Sequence, residues 1–300
     1  MYIERGLSIV ELLQICRAEL TLAFKKTIES NEFNIAGSAI DAELIVMQAL
    51  NIQSREDLLR RHCQMASDYE ARVCYALLNR RLQGEPMAYI MGRKAFWEHD
   101  FVVSEKVLIP RPESELFIEV AMRYFKSCDR DLKILELGTG SGCIILSLLD
   151  IFKNSSGIAT DISIDAINVA KINCGNLKLE SRVTFVESDW FASVPRIKFD
   201  IILANPPYIA IDEFHKLSES VRCYEPENAL TDYGSGLSHY IKIAQEASQF
   251  LKKEGVGMFE CGYNQAAKVV KIIEQNNLKN LEVVKDLAGI ERLIVFSANV

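Results

Sequence analysis

Apolar side chains recur at helical spacing through the first 84 residues, as in Leu12, Leu13 and Ile15. A serine followed three residues later by an acidic residue stands before each such run, a spacing typical of a capping box at a helix start. The last of these helices is expected to stop at Gly84-Glu85-Pro86, because glycine and proline end helices. The pattern predicts an all-helical domain over residues 1–84. The four serine–acid pairs are Ser8/Glu11, Ser38/Asp41, Ser54/Asp57 and Ser67/Glu70.

The next segment, residues 85–110, has a β-rich pattern. Phe96-Trp97 and the runs 99–103 and 106–109 are rich in aromatic and β-branched residues. We expect a β-hairpin that links two domains. Residues 110–115 then form a proline-rich turn, and a helix is expected over residues 116–125.

From residue 131 onward, short apolar runs alternate with helical stretches. The helical stretches are 143–152, 166–170, 241–251 and 266–273. This alternation predicts an α/β domain over residues 111–300, with a mostly parallel seven-stranded sheet and helices on both faces. Such sheets bind ligands beyond the carboxyl ends of their strands, so the residues that follow each strand are the candidates for function. The seven apolar runs are 134–137, 157–161, 183–186, 200–203, 256–259, 281–284 and 293–296.

Charge and cysteine content narrow the range of functions. The 300 residues include 34 basic and 41 acidic ones, a net charge of −7, which argues against a surface that coats nucleic acid. Eight cysteines without a CxxC pair predict buried free thiols in a reducing compartment, and four dispersed histidines do not indicate a metal site. We find neither a signal-peptide pattern nor an apolar run near the ~20 residues that span a bilayer, so we expect a soluble, cytoplasmic protein.

A glycine-rich turn follows the first predicted strand of the α/β domain. It comprises Gly138, Thr139, Gly140, Ser141 and Gly142. Alternate glycines let the backbone turn sharply and approach a ligand closely. The dinucleotide fingerprint GxGxxG fails, because residue 143 is a cysteine, and the spacing instead suits a nucleoside without a pyrophosphate. A tight turn without any ligand is the alternative.

Asp161 and Trp190 end or follow the next two strands. Asp161 lies about twenty residues beyond the glycines, where a carboxylate accepts hydrogen bonds from ribose hydroxyls. It could instead cap a helix that begins at Ile162, or do both. Ser188-Asp189-Trp190 places an acid and an aromatic face where an adenine ring would lie, although a lone tryptophan is more often a core residue.

The motif Asn205-Pro206-Pro207-Tyr208 directly follows the strand at 200–203. Two prolines fix the loop and remove two backbone donors, which leaves the Pro206 carbonyl available to a ligand. Asn205 adds a side-chain acceptor and Tyr208 a flat aromatic face. This set fits a planar group that bears an NH2, and a Pro-Pro turn without a ligand is the alternative.

These motifs together resemble the class I S-adenosylmethionine-dependent methyltransferases that act on amide or amino nitrogens. The chain is most similar to the PrmC/HemK family, which methylates the glutamine of the Gly-Gly-Gln motif in peptide chain release factors. The similarity covers nearly the whole chain. It extends to Gly84-Glu85-Pro86 with Ala88-Tyr89-Ile90, the segment 108–115, Val221-Arg222, Tyr224-Glu225-Pro226, Ala229-Leu230, Asp286-Leu287-Ala288-Gly289 and Arg292.

The resemblance implies a Rossmann-like methyltransferase domain, S-adenosyl-L-methionine as cofactor and a release factor as substrate. We hypothesise that residues 1–84 dock that substrate, and nothing in the sequence requires more than a monomer. Catalysis is assigned to Asn205, Pro206 and Tyr208, and substrate binding to these three with Pro207. The expected cofactor-binding residues are Gly138, Thr139, Gly140, Ser141, Gly142, Asp161, Trp190 and Asn205.

Three alternatives stay open. A related branch methylates a glutamine in a ribosomal protein. The segment of that branch after Ile-Pro-Arg resembles Ser-Pro, whereas this chain has Pro112-Glu113-Ser114-Glu115 there. Adenine-N6 methyltransferases of nucleic acid share Asn-Pro-Pro-Tyr, yet they need a basic groove. A nucleoside sensor without catalysis is the third. The chain departs from the family at Ala95, at Ser114 and at Thr231-Asp232-Tyr233, positions outside the presumed reacting groups.

Overall fold

The chain folds into two compact units, Met1–Gly92 and Arg93–Val300. The computed structural model describes the backbone at residues 6–27 and 32–299 and the side chains at residues 6–24 and 37–299. The boundary at Gly92 places the β-hairpin with the larger unit.

The smaller unit is helical, as the sequence predicts. Three of the predicted capping pairs begin helices: Ser8 and Glu11, Ser54 and Asp57, and Ser67 and Glu70. At Ser67 the box is complete, because its hydroxyl accepts from the Glu70 N–H while the Glu70 carboxylate accepts from the Ser67 N–H. The helices are α1 (Ile9–Thr27), α2 (Glu32–Ala49), α3 (Arg55–Arg61), α4 (Asp68–Leu82) and α5 (Met87–Met91).

The helix start predicted at Ser38 and Asp41 is wrong. Helix α2 begins at Glu32, so Ser38 lies inside it and is buried. The Ser38 hydroxyl lies 3.0 Å from that of Thr21 on α1. A serine that contacts a neighbouring helix can have the same spacing to an acidic residue as a serine that caps a helix. Only burial distinguishes the two cases.

The predicted hairpin exists, but one of its expected strands does not. Strand β1 (Arg93–Phe96) pairs with β2 (His99–Val102) around a two-residue connection, and Phe96 packs edge-to-face on Phe101 at 6.1 Å. Residues 106–109 form no strand. Their apolar character instead reflects burial, since Val107 and Ile109 are buried without a strand to pair with.

The larger unit contains the seven-stranded sheet that the sequence predicts. Its strand order is β5-β4-β3-β6-β7-β9-β8, and the first five strands are parallel. Strand β9 is antiparallel to both of its neighbours. The strands are β3 (Lys133–Leu137), β4 (Ser156–Asp161), β5 (Val183–Glu187), β6 (Phe199–Ala204), β7 (Leu251–Glu260), β8 (Leu278–Lys285) and β9 (Glu291–Ala298).

Helices cover both faces of this sheet. One core contains Phe117, Leu148 and Phe101, and so unites the hairpin with α6 (Leu116–Tyr124) and α7 (Cys143–Ile151). The other contains Ile243 and Val269 from α12 (Ser238–Phe250) and α13 (Ala266–Gln275). The remaining helices are α8 (Ile164–Leu177), α9 (Ile211–Phe214), α10 (Glu219–Arg222) and α11 (Glu227–Leu230).

The burial of the cysteines agrees only in part with the prediction from the sequence. All eight are free thiols, and five are buried. Cys63, Cys128 and Cys223 are exposed, so the expectation that all would be buried is wrong for these three. Across residues 6–27 and 32–299, no helix is long and apolar enough to cross a membrane.

Candidate functional site

A cavity of about 310 Å³ lies at the carboxyl ends of the parallel strands. Strand β3 leads into the glycine turn, β4 ends in Asp161, and β6 leads into Asn205, so the strand order brings these three candidates together. Gly142, Pro206 and Tyr208 are not among the residues that line it. The predicted residues that do line it are Gly138, Thr139, Gly140, Ser141, Asp161, Trp190, Asn205 and Pro207.

The glycine turn requires glycine at all three positions. Gly138, Gly140 and Gly142 have φ of 74°, 54° and 79°, in the left-handed region that other residues rarely adopt. A Cβ at Gly142 would lie 3.2 Å from the Cβ of Ala170, so this glycine lets α7 approach α8. A Cβ at Gly140 would meet no atom within 4 Å, which leaves its backbone open to a ligand.

A buried carboxylate supports this turn through a hydrogen bond. Glu136 is 2% exposed, and the Thr139 hydroxyl donates to its Oε2. Burial raises the pKa of Glu136 to about 8, although hydrogen bonds from Thr139 and from the Ile145 backbone oppose the shift. Glu136 also lines the cavity.

Asp161 connects the turn to the start of α8. Its Oδ2 accepts from the Gly140 N–H and its Oδ1 accepts from the Ser163 N–H, both at 2.9 Å. Burial raises its pKa despite these hydrogen bonds. The cap of α8 is Ser163, whose side chain accepts from the Ala166 N–H, so the alternative that Asp161 caps a helix beginning at Ile162 is wrong. Each carboxylate oxygen has a second lone pair, which leaves capacity for a ligand.

Trp190 packs against the glycine turn. A Cβ at Gly138 would lie 3.5 Å from its ring, and on another side the ring lies 5.1 Å from that of His239. The backbone of Trp190 has a φ of 51°, which the Ser188 hydroxyl helps to hold by donating to the Trp190 carbonyl. Asp189 is exposed and also lines the cavity.

The segment Asn205 to Tyr208 forms a loop beyond β6. The Gln265 side chain donates to the Tyr208 carbonyl at 2.8 Å and so fixes the end of the loop. Among the described residues, none donates a hydrogen bond to Oδ1 of Asn205 or to the carbonyl of Pro206. Burial raises the pKa of the Tyr208 phenol, whose O–H donates to Glu260 Oε1 at 3.4 Å. The loop therefore holds two unused acceptors, and one of them, Asn205 Oδ1, belongs to a residue that lines the cavity.

Two segments that sequence reasoning did not assign to the site also line the cavity. One runs from Lys106 to Ser114 and the other from Pro226 to Tyr233. The Glu225 carboxylate, with its side chain 1% exposed, joins them, because it accepts from Arg111 at 2.6 Å and from the Ile109 N–H at 3.1 Å. The sequence indicates secondary structure or family resemblance in these stretches, but no local signal shows that they meet.

Among the residues that line the cavity, acidic side chains outnumber the basic Lys106 and Arg111. Glu136, Asp161, Asp189 and Asp232 contribute carboxyl groups. Partial burial disfavours the charge of Asp232, but hydrogen bonds from Ser238, Gly236 and Gly234 outweigh it and lower its pKa to about 2. Asp232 is therefore ionised at neutral pH, and its charge suits a ligand that carries positive charge.

Comparison with known proteins adds independent information. Residues 12–92 match the model of the PrmC N-terminal domain, and residues 114–235 match that of the methyltransferase small domain. A bifunctional methyltransferase of Rickettsia conorii is 35% identical over 290 residues, which cover 89% of this chain and 55% of that protein. The chain therefore spans about half the length of this relative.

Two further proteins show the fold and the family of this chain. Among solved structures, the hMettl16 catalytic domain in complex with the MAT2A 3'UTR hairpin 1 has a TM-score of 0.52 and 14% identity. The match covers 96% of this chain and 91% of that one, and at this identity it shows the fold alone. A release factor glutamine methyltransferase of Agrobacterium fabrum is 33% identical over 282 residues, which cover 93% of this chain and 96% of that protein. This chain belongs to the family of release factor glutamine methyltransferases.

Proposed function

We propose that this protein transfers a methyl group from S-adenosyl-L-methionine to the side-chain amide nitrogen of the glutamine in the Gly-Gly-Gln motif of peptide chain release factors. The reaction would support translation termination. The observation that carries the proposal is the pair of unused acceptors, Asn205 Oδ1 and the Pro206 carbonyl, in a loop of which Asn205 and Pro207 line the cavity. The name of the Agrobacterium relative, a release factor glutamine methyltransferase, supports the choice of substrate.

The cavity residues fit the cofactor. The open face of Gly140 admits a ligand next to the backbone, and the volume of about 310 Å³ lies in the range of small-molecule sites. Asp161 would accept hydrogen bonds from the ribose hydroxyls, while Asp189 and Trp190 would border the adenine. The ionised Asp232 in the lining suits a sulfonium charge. When bound, S-adenosyl-L-methionine supplies an electrophilic methyl group.

The loop residues would activate the substrate amide. An amide nitrogen is a weak nucleophile, because its lone pair is delocalised into the carbonyl group. Asn205 Oδ1 and the Pro206 carbonyl would each accept one hydrogen of the NH2 group, which orients the nitrogen and stabilises positive charge as it develops there. Pro207 would keep the loop rigid, and Tyr208 would offer its ring to the amide plane. Fixing the nitrogen in line with the methyl group supplies rate through positioning.

The product needs no strong base. An amide that is protonated and methylated at nitrogen is acidic and loses its proton readily to water. The mechanism therefore requires acceptors that orient the amide, and Asn205 and Pro206 supply them.

We also propose the setting in which the reaction takes place. The helical domain would dock the release factor, because the enzyme has to select one glutamine on a large protein. A cytoplasmic monomer that does not bind nucleic acid directly suits a release-factor substrate and the net charge of −7.

Mass spectrometry of the Gly-Gly-Gln peptide tests the proposed activity. We expect a gain of one methyl group on the glutamine when purified release factor is incubated with the protein and S-adenosyl-L-methionine. Asn205→Ala should reduce the turnover number about 10²–10³-fold with both substrates saturating, because it removes one preorganised acceptor. A turnover number within a few-fold of wild type would refute the role of Asn205. Methylation of a ribosomal-protein glutamine or of adenine instead would refute the substrate assignment.

A shortened chain tests the docking role. The boundary between the compact units follows Gly92, so a chain that begins at Arg93 leaves the larger unit whole. We expect it to retain cofactor affinity, which also reports that it is folded, and to lose activity on the intact factor. If the folded, shortened protein methylates the factor at the full rate, the helical domain does not dock it.

A further inference from the structure

A second buried carboxylate lies behind the Asn205 loop. Glu260 is the last residue of β7 and is 2% exposed. Strand β7 is parallel to β6, and Ala204 pairs with Phe259, so Asn205 and Glu260 leave the sheet side by side. Glu260 does not itself line the cavity.

Ser114 connects this carboxylate to the cavity. Ser114 is 3% exposed and lines the cavity from the 3-10 helix Pro112–Glu115. Its hydroxyl donates to Glu260 Oε2 at 2.5 Å, and the Asn205 Nδ2 donates to that hydroxyl at 3.4 Å. On the other carboxylate oxygen, Oε1, the Tyr208 O–H donates at 3.4 Å. Tyr208 therefore donates to the Glu260 carboxylate directly, and Asn205 is connected to it through Ser114.

The chemistry of these groups fixes the direction of every hydrogen bond. An ionised carboxylate only accepts, so the Ser114 hydroxyl has to donate to it. The single hydroxyl hydrogen is then used, and Ser114 Oγ can only accept from its second neighbour. That neighbour must present NH2, so the amide of Asn205 turns its Oδ1 the other way.

We propose that Glu260 and Ser114 are positioning residues that hold the Asn205 amide in the one orientation that presents Oδ1 to the substrate NH2. Without them the amide could rotate by half a turn and present a donor, which would repel the NH2 hydrogens. This inference rests on the proposed function, since it explains how Asn205 becomes an acceptor. Neither residue touches the reacting atoms.

The charge of Glu260 makes the arrangement sensitive to pH. Burial raises its pKa to about 7, and Glu113 adds to the rise, while Ser114, Asn205 and Arg292 oppose it. A protonated Glu260 could donate, and it would then no longer fix the direction of the Ser114 hydroxyl. We therefore expect turnover to rise with pH through about 7 and then level off. The titratable and charged groups around Glu260 are Glu113, Cys143, Tyr208, Tyr240, Cys261 and Arg292.

Substitutions at Ser114 test the connection. Ser114→Ala should lower kcat about 10–100-fold, the usual cost of losing an orienting partner, and leave the KM for cofactor within about threefold. Ser114→Thr restores the hydroxyl and should recover most of the loss. Ser147→Ala is the matched control, because Ser147 Oγ is buried without a hydrogen-bond partner among the described residues. A kcat for Ser114→Ala within twofold of wild type would overturn the inference.

Glu260→Gln tests the carboxylate. Glutamine keeps the shape but can also donate, so the direction of the Ser114 hydrogen bond is no longer fixed. We expect a lower kcat and a flat pH profile between pH 6 and 8, where the wild type rises. A profile for Glu260→Gln that still rises as in the wild type would contradict the role of Glu260.

A spectroscopic measurement separates this inference from the proposed function. In the full chain labelled with 15N-asparagine, the side-chain NH2 signal of Asn205 is identified by its loss in Asn205→Ala. It should shift between pH 6 and 8 in the wild type and stay fixed in Glu260→Gln. An unmoved wild-type signal would overturn the inference whatever the substrate is. A signal that shifts in a protein without methyl-transfer activity on release factors would refute only the proposed function.

Discussion

Asp161 offers the most direct test of how the cavity holds its ligand. Its carboxylate already accepts from the N–H groups of Gly140 and Ser163 at 2.9 Å, and we propose that it also accepts from ribose hydroxyls. A hydrogen bond to a charged group contributes about 1.5–3 kcal/mol. Asp161→Ala should therefore weaken S-adenosyl-L-methionine binding by that amount, or about 10–150-fold in Kd.

The same substitution should also affect folding. It leaves two partly buried N–H groups without their acceptor, at a cost of about 1–3 kcal/mol in the free energy of unfolding. The pKa of Asp161 is raised in the folded state, so its stabilising contribution is full below its ordinary pKa of 3.8 and falls as pH rises through the folded pKa. The difference in unfolding free energy between wild type and Asp161→Ala should therefore shrink from acid to neutral pH, which urea unfolding at several pH values measures.

Calorimetry with two ligands separates direct binding from an effect through the turn. The product S-adenosylhomocysteine and its 2'-deoxy analogue are each titrated into wild type and into Asp161→Ala. If the carboxylate binds the ribose, removing the hydroxyl should weaken binding to the wild type and have little effect on the variant. Equal losses in both proteins, or an unchanged affinity of Asp161→Ala, would show that Asp161 only supports the glycine turn.

The remaining predictions concern stability. Glu225→Gln should lower the free energy of unfolding by about 1–3 kcal/mol, because it removes the charge that Arg111 faces. The loss is limited because Arg111, at 31% exposure, keeps part of its hydration. An unchanged urea midpoint would contradict this prediction. Lys178→Gly should raise stability by about 0.5–1 kcal/mol, because Lys178 ends α8 with φ at 58°, and a lower melting temperature would contradict that. Ser67→Ala should cost about 1 kcal/mol through the lost cap of α4, and no change in urea unfolding would show that the cap is dispensable.

Local sequence signals predicted most of the elements and the core of the candidate site. The alternation of apolar runs and helical stretches predicted all seven strands of the sheet, because periodicity depends on which face of an element is buried. Glycines at 138, 140 and 142 predicted the turn because their left-handed φ angles are a steric property of single residues. The parallel sheet then brings Asp161 and Asn205 to one edge, as its topology requires.

The same local signals failed where burial or pairing decided the outcome. Ser38 has the spacing of a cap but lies inside α2 against α1. Residues 106–109 have a strand-like composition but no strand partner. A residue's preference for helix or strand is independent of which residues become its neighbours in space, so a single sequence cannot resolve such cases.

Only the tertiary structure joined distant residues into the supports of the site. Ser114 and Glu260 are 146 positions apart, and Arg111 and Glu225 are 114 apart. Each of these side chains is of a polar type that is usually exposed, and none belongs to a local motif that predicts burial. The order of the parallel strands places the end of β7 beside the end of β6, and this placement turns a strand-end glutamate into a buried acceptor behind Asn205. The sequence by itself predicted the glycine turn, Asp161 and Asn205 as parts of the candidate site, because these signals are local, whereas the groups that support them are selected by the packing of elements far apart in the chain.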